Sequence, residues 1–317
     1  MSKGILSKIF YSTINIADKK FLILLIQIQF LEKREVKLKK FSTILLIFIS
    51  LTVSAQTADT AKSCWVPSFV TSLGINQIAF SNWVKGGENS LAWTIMGDLH
   101  YDKPSKEWSF KNSIKATYGR SKIGGATYRT TENDLYIENV ASYDLGWAAS
   151  PFISNSIRTQ LASGFDYKVT PENEIANFFD PGYITQTIGF TYDKYPNIVT
   201  RLGLGFQEII TNKFNQYSDD PETKNEVEKF KFETGIESVT DVDYKLAENI
   251  VYKSKLRLFS QFKSLDIWDV RWDNIVAAKV TKYISVNFGY LLVYEKAQSV
   301  KTQIKEGLQI GFVYNVF

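Results

Sequence analysis

The sequence has one cysteine, Cys64, and one histidine, His100, among its 317 residues. One cysteine excludes an intramolecular disulfide and a cysteine-cluster metal site. The chain also lacks a metal-spaced histidine pair, a phosphate-binding glycine loop and a dinucleotide fingerprint, so it predicts no metal and no cofactor. No run of about 18 apolar residues occurs, which argues against helical membrane spans.

The chain after residue 55 has no excess of positive charge. Nine of the lysines and arginines but only three of the acids lie within residues 1–55, so the formal net charge of +4 becomes −2 for the remainder. Binding to nucleic acid needs a clustered positive surface, and the sequence therefore gives no reason to expect a nucleic-acid partner.

Aromatic residues, in contrast, are abundant. They make up 15% of the chain, with 17 Tyr, 22 Phe and 7 Trp, although hydrophobic residues are only 44%. A membrane β-barrel has this composition because lipid-facing and lumen-facing residues alternate along each strand and average out.

The C-terminal residues have the pattern of a closing barrel strand. One face is apolar and the other is small or polar, as expected where one side meets lipid and the other a lumen. The apolar face holds Leu308, Ile310, Phe312, Tyr314 and Val316, and the other face holds Gly307, Gln309, Gly311 and Asn315. We interpret Phe312, Tyr314 and the terminal Phe317 as the signal for the barrel-assembly machinery.

From Pro67 onward, alternating segments separated by turn residues predict about twelve strands. They lie near 67–83, 89–101, 107–119, 128–145, 150–167, 183–193, 197–210, 230–240, 246–262, 266–280, 284–294 and 303–317. Short connections, such as 241–245, broadly alternate with long ones, such as 168–182 and 211–229. A soluble sandwich has no reason to sort its loops in this way. The predicted fold class is therefore an all-β, transmembrane antiparallel β-barrel with the long loops facing outward.

The N-terminal region predicts export. A basic stretch at 36–40 precedes an apolar core at 41–53 and small residues before a cleavage site between Ala55 and Gln56. We therefore divide the chain into four parts. They are an upstream extension arising from start-site choice at 1–35, a signal peptide at 36–55, a leader at 56–66 and the barrel at 67–317.

Charged residues occupy one face of two neighbouring predicted strands, and they must point away from lipid. They are Lys253, Lys255, Arg257, Asp269, Arg271 and Asp273. We expect ion pairs between Lys253 and Asp273 and between Arg257 and Asp269. Because about twelve strands leave no room for a wide aqueous channel, the lumen is predicted to be narrow or occluded.

The sharpest local motif is a tight turn between the first two predicted strands. It comprises Trp83, Gly86, Gly87, Asn89 and Ser90. Gly-Gly permits the positive φ of a tight hairpin, and Trp83 suits an interfacial aromatic belt. The structural interpretation, a hairpin with an aromatic anchor, is favoured over a ligand-contacting outer turn.

Several short segments together form a recognisable pattern. They are Ser81-Asn82-Trp83 with Gly86-Gly87 and Asn89-Ser90, Arg129–Leu135, Ser154-Asn155-Ser156, Phe179-Asp180-Pro181-Gly182 and Asp269–Trp272. This pattern resembles the uncharacterised Bacteroidetes family called domain of unknown function 3078. It extends over essentially the whole chain after the signal peptide. The chain departs from the family pattern at Thr130, where a lysine is frequent. It also departs from the usual ending of a barrel, in which an aromatic residue lies two positions before the terminal Phe, because Tyr314 lies three positions before Phe317. The resemblance implies an outer-membrane barrel and no catalytic residues.

Two groups of polar residues suggest other chemistry. His100 follows Asp98, and Ser109, Asn112 and Ser113 lie on the adjacent predicted strand, so a barrel hydrolase is conceivable, although it requires a Ser–His hydrogen bond. The acids of loop 211–229 lack the alternating ligand spacing of a calcium loop, so solvated loop charge is the favoured interpretation.

The sequence therefore predicts a monomeric, non-enzymatic barrel in the outer membrane of a Gram-negative bacterium, surrounded by its lipids. The barrel would be a narrow channel for a small solute or a structural or accessory barrel. The alternatives are a hydrolase that uses His100 and a soluble periplasmic β-protein that binds lipid within buried apolar faces.

Overall fold

The computed structural model describes residues 65–316 except 83, 85, 106, 221, 222, 224, 225, 297 and 298. Twelve long strands in this part of the chain close into one antiparallel barrel, in which the first strand pairs with the last. They are β1 Val66–Ile78, β2 Ser90–Asp102, β3 Trp108–Ile123, β4 Arg129–Tyr143, β5 Ser150–Thr159, β8 Gly182–Tyr192, β9 Ile198–Ile210, β10 Phe230–Ala247, β11 Ile250–Gln261, β12 Asp269–Lys279, β13 Ile284–Tyr294 and β14 Gln303–Asn315. This confirms the predicted fold class.

Some predicted features lie outside the described residues. They are the upstream extension, the signal peptide with its cleavage site at Ala55 and Gln56, Trp83 and Phe317. Within the described residues, no helix is long and apolar enough to span a membrane.

The fifth predicted strand, 150–167, is too long. β5 ends at Thr159, and the chain then forms a separate two-stranded hairpin from β6 (Gly164–Asp166) and β7 (Asn173–Ala176). The cause is Asn133 on β4, whose Oδ1 accepts hydrogen bonds from Leu161 N (2.9 Å) and Ala162 N (3.0 Å). These bonds take the place of ladder hydrogen bonds and turn the chain out of the barrel wall.

The predicted turn at 241–245 is also wrong. These residues continue β10, and the connection to β11 consists of Glu248 and Asn249. The polar character that suggested a turn belongs to the lumen. Asp241 Oδ2 accepts a hydrogen bond from Arg201 Nη2 at 2.9 Å inside the barrel.

The two ends of the barrel differ in the length of their connections. One end, here called the turn end, carries the connections 103–107, 144–149, 193–197, 248–249 and 280–283. The opposite end, here called the loop end, carries 79–89, 124–128, 160–181, 211–229, 262–268 and 295–302. β1 begins and β14 finishes at the turn end. Single-chain outer-membrane barrels show this asymmetry, with short turns on the periplasmic side.

The outer face of the barrel is apolar and uncovered. On β14, Leu308, Ile310 and Phe312 are 67%, 61% and 60% exposed, and Tyr314 on the same face is also exposed. A soluble protein does not leave so much apolar surface open to water, whereas a bilayer requires it. The soluble lipid-binding alternative needs these faces to be buried, and it is therefore wrong.

Candidate functional site

A buried acid of β4 connects two strands on the far side of the lumen. Glu138 Oε1 accepts a hydrogen bond from Arg201 Nη2 on β9 (2.9 Å), and its Oε2 accepts one from Lys255 Nζ on β11 (2.5 Å). Four strands separate β4 from β11 in the barrel wall. The Glu138–Lys255 contact therefore crosses the lumen and bridges its walls.

Asp241 on β10 completes a group of four charges. Its carboxylate contacts Arg201 Nη2 at 2.9 Å and Lys255 Nζ at 3.4 Å. Glu138, Asp241, Arg201 and Lys255, here called the central quartet, thus balance two negative charges with two positive ones. The side chains of Arg201 and Glu138 are only 6% and 13% exposed, and pairing is what makes buried charges tolerable.

A second polar layer lies between the quartet and the loop end. Arg257 Nε donates to Glu237 Oε1 (2.6 Å), and its Nη2 donates to Gln207 Oε1 (2.8 Å). Gln207 Nε2 in turn donates to Glu233 Oε2 (3.0 Å). These hydrogen bonds join β9, β10 and β11 inside the barrel and occupy the lumen on that side.

An apolar contact supports this layer. Phe259 on β11 is fully buried, and Arg257 lies over its ring at 5.4 Å. Gly205 on β9 leaves the space for the ring, because a Cβ built there would lie 3.1 Å from Phe259 Cε2. The lumen beside β8–β11 is therefore packed.

A cavity of about 160 Å³ lies next to the quartet. Charged side chains from both sides line it. Arg158 on β5 pairs with Asp134 at 3.0 Å, and Arg271 on β12 pairs with Asp273 at 2.9 Å. The Arg158 guanidinium lies 4.4 Å from the centre of the Tyr136 ring. Ion-paired side chains thus line this cavity.

The lumen beside β13 and β14 is open. Gly289 and Gly307 are ladder partners there, and a Cβ built on Gly307 meets no atom of the described residues within 4 Å. Lys305, also lumen-facing, is half exposed, and its Nζ reaches Glu132 Oε2 on β4 at 2.8 Å. The interior is thus filled on one side and open on the other.

The structure places all six charges predicted from the sequence in the barrel interior, but not in the predicted pairs. Lys253 contacts Asp243 (3.2 Å) instead of Asp273, and Arg257 contacts Glu237 instead of Asp269. The cause is the ladder register between β11 and β12. Lys253 lies opposite Ile275, and Arg257 lies opposite Arg271.

The hydrolase alternative lacks its central contact. His100 Nε2 contacts Asp98 Oδ1 at 3.1 Å, and no Ser–His hydrogen bond is found among the described residues. Ser113 is the ladder partner of His100, so Asn112 lies on the opposite face of β3. Its Nδ2 donates instead to the Tyr101 carbonyl oxygen at 2.7 Å. Asn112 cannot orient the imidazole from that face.

The glycine motif between β1 and β2 is a structural turn in the residues that are described. Gly86 and Gly87 have φ of 79° and 120°, which side chains rarely allow. The Phe80 ring packs on Gly87, since a Cβ there would lie 2.7 Å from Phe80 Cζ. Asn89 Oδ1 accepts a hydrogen bond from Phe80 N at 2.7 Å, one residue before β2 begins at Ser90. The expected positive φ therefore serves to close this turn.

The two longest loops are joined at the loop end by Asp180. Its Oδ1 accepts a hydrogen bond from Asn212 N (2.9 Å), and its Oδ2 accepts one from Lys213 N (2.8 Å). Lys213 Nζ also contacts Glu174 Oε2 at 2.5 Å, and this exposed pair lowers the pKa of Glu174. Loops 160–181 and 211–229 therefore form one connected surface.

Acidic residues of loop 211–229 organise the loop. Glu228 Oε1 accepts a hydrogen bond from Thr223 Oγ1 (2.5 Å), and its Oε2 accepts one from Asp220 N (3.1 Å). These bonds, that from Thr223 first, lower the pKa of Glu228 to about 2. Among the described residues, no group of three or more His, Cys, Asp or Glu side chains is arranged to hold a metal ion.

The lowered pKa of Glu228 predicts acid-sensitive loop structure. The hydrogen bonds favour the ionised carboxylate, so their contribution is complete above its usual pKa of 4.5 and is lost as pH falls toward about 2. We expect the hydrogen-exchange protection factor of the Asp220 amide to fall across that interval. In the Glu228→Gln variant, the Asp220 amide should show low protection at both ends of that pH interval. Equal pH dependence in the two proteins would contradict this assignment.

Together these features define a transmembrane antiparallel β-barrel of twelve strands with an apolar exterior and a partly filled, charged lumen. Residues 75–165 match the model of the family described as "Protein of unknown function (DUF3078)". This match confirms the resemblance predicted from the sequence over the segment from β1 to β6. The family motifs at 179–182 and 269–272 lie beyond the matched segment, and their assignment stays a prediction.

Solved barrel structures are similar to the chain at low sequence identity. The translocator domain of the autotransporter NalP from Neisseria meningitidis has a TM-score of 0.35 and 8% identity, covering 87% of this chain and 95% of that one. The COG4313 outer membrane channel from Pseudomonas putida F1 has a TM-score of 0.37 and 9% identity, covering 83% and 98%. These scores carry no functional argument. No curated protein matches the sequence.

Proposed function

We propose that this protein is an outer-membrane barrel that conducts small polar solutes through a narrow path beside β13 and β14. The apolar exterior and the short connections at one end support insertion into a bilayer with the termini in the periplasm. The predicted signal peptide supports export. The observation that carries the proposal is the uneven lumen, filled at the quartet and open at Gly307.

The filled side limits what can pass. The cross-lumen contacts of Glu138 leave no wide pore, so the proposal is a low conductance and not a general diffusion pore. A structural or accessory barrel is the competing role. It predicts a folded protein that gives no single-channel steps.

Single-channel recording in planar bilayers tests the proposal. Gly307→Phe places a ring in the open part of the lumen and should lower the unit conductance several-fold. Gly125→Phe is the matched control, because a Cβ built on Gly125 also lies more than 4 Å from every atom that the structure describes, but Gly125 is in the connection 124–128. The control should conduct like the unchanged protein. Equal conductance in all three folded proteins would exclude a path past Gly307.

A further inference from the structure

The seam between β1 and β14 is closed along only part of its length. Its ladder joins Val70–Gly74 to Gly311–Asn315 and stops there. β1 continues to Ile78 and β14 begins at Gln303, but no ladder pair joins 75–78 to 303–310, all of which the structure describes. On its other side, β1 pairs with β2 from Val66 to Ile78. Because β1 ends and β14 begins at the loop end, the unpaired part is the loop-end part.

An unpaired seam is costly in the hydrocarbon of a bilayer. Backbone N–H and C=O groups find no hydrogen-bond partner in lipid tails, which is why membrane barrels close. Glu306 is exposed in the same segment. It lies two residues before the lipid-facing Leu308 and therefore on the same face, so a carboxylate also points outward there. Both features require water or polar headgroups at this place.

Among the described residues, the lumen behind the unpaired segment has open space at one level and side chains at two others. Gly307 leaves the open space described above. Toward the turn end, Gln309 packs against Gly74, and its Nε2 donates to Thr94 Oγ1 on β2 at 3.3 Å. Toward the loop end, Lys305 on β14 forms an ion pair with Glu132 on β4 across the lumen. The unpaired part of the seam therefore lies directly beside open lumen space at Gly307.

The two sides of the wall at the unpaired part of the seam differ in polarity. Outside, exposed apolar side chains flank it, among them Ile75 on β1 and Ile304 on β14. Inside, Lys305, Glu132 and Gln309 make the lumen polar around Gly307. A molecule with a polar headgroup and an apolar chain matches both sides at once, and its headgroup offers partners to the unpaired backbone.

We propose that the loop-end part of the β1–β14 seam is a lateral portal for a membrane amphiphile. The headgroup enters the lumen beside Gly307, and the chain remains against Ile304 and Ile310 in the bilayer. The portal does not require conduction along the barrel axis, so its test is independent of the test of the proposed channel function.

Photolabelling in vesicles tests the portal. The full-length protein carrying Cys64→Ser, Gln77→Cys and Leu308→Cys is placed in phosphatidylcholine vesicles, since residues 77 and 308 would face each other if the ladder continued from Gly74 and Gly311. The probe is a single-chain phosphocholine amphiphile with a diazirine on its headgroup. In the reduced protein, lumen-facing Gly307 and Gln309 should be labelled. Oxidation to the disulfide should lower that labelling at least fivefold.

A matched tether controls for the cysteines. Phe288→Cys with Leu308→Cys, also in the Cys64→Ser background, joins β14 to β13, where the ladder is already complete, and its oxidation should change the labelling less than twofold. Gly307→Phe fills the space without a disulfide and should lower the labelling of Gln309 at least fivefold. Absence of lumen labelling in the reduced protein would overturn the portal, as would labelling that neither variant reduces. A disulfide between two copies would overturn it in favour of edge-to-edge dimerisation.

Discussion

Glu138→Ala should destabilise the folded barrel by about 3–5 kcal/mol, the usual cost of removing one partner from a buried ion pair. Glu138 is the acid that Arg201 and Lys255 share, so its loss leaves two cations in a packed interior with only Asp241 to balance them. The measurement is urea unfolding in phosphatidylcholine vesicles, followed by the mobility difference between unboiled and boiled samples.

Glu132→Ala is the control for this effect. It removes the same side chain from the same strand, and Glu132 also pairs with a lysine, but its partner Lys305 is 49% exposed. Exposed pairs contribute about 0–1 kcal/mol, so the loss should stay within that range. If the two variants lose similar amounts of unfolding free energy, the central quartet does not stabilise the barrel more than an exposed ion pair does.

A second substitution separates the charge from the lost packing. Lys255→Met in the Glu138→Ala background removes one of the two cations, so that Asp241 balances the remaining charge of Arg201, and it should restore part of the lost stability. If the destabilisation arose only from the missing Glu138 side chain, the double variant would be less stable than the single one.

The faces of the strands were predictable because alternation has a period of two residues. The charges of Lys255 and Arg271 point inward as the pattern indicates, and Phe312 and Tyr314 point outward. The ion pairs were not predictable in the same way. A register shift of two residues keeps every side chain on its face but changes every partner, and register depends on where the turn lies.

The connection between β10 and β11 was predicted at the wrong residues. Polar residues at 241–245 suggested a connection, yet they extend β10 and bring Asp241 to Arg201. The connection instead uses Glu248 and Asn249, next to a register irregularity between Lys245 and Ala247. A polar residue that faces a lumen and a polar residue in a turn have the same composition, and the sequence does not separate them.

Glu138 was missed for a different reason. Its position on the lumen face of β4 follows from alternation with Leu135 and Ile137, and that signal was present in the sequence. Its partner Lys255, however, is 117 residues away in the chain and four strands away in the wall. Contacts across a lumen depend on barrel closure and shape, which strand patterning does not encode.

Phe288→Arg should reduce the folded form in the membrane far more than Asn287→Arg. Phe288 lies near the middle of β13 on the lipid-facing side, where it is 43% exposed. An arginine on the lipid face near the bilayer midplane costs about 2–4 kcal/mol. Asn287 is the preceding residue on the lumen face, and its Nδ2 donates to Ser285 Oγ at 3.1 Å.

The same substitution at two adjacent positions isolates the environment as the only large difference between them. An arginine at Asn287 faces the open side of the lumen next to Gly289 and should cost about 1 kcal/mol or less, because its charge does not face lipid. The measurement compares the heat-modifiable folded fraction in membranes from cells that make each variant. Equal losses, or a greater loss for Asn287→Arg, would mean either that β13 has the opposite orientation or that the barrel exterior does not contact lipid.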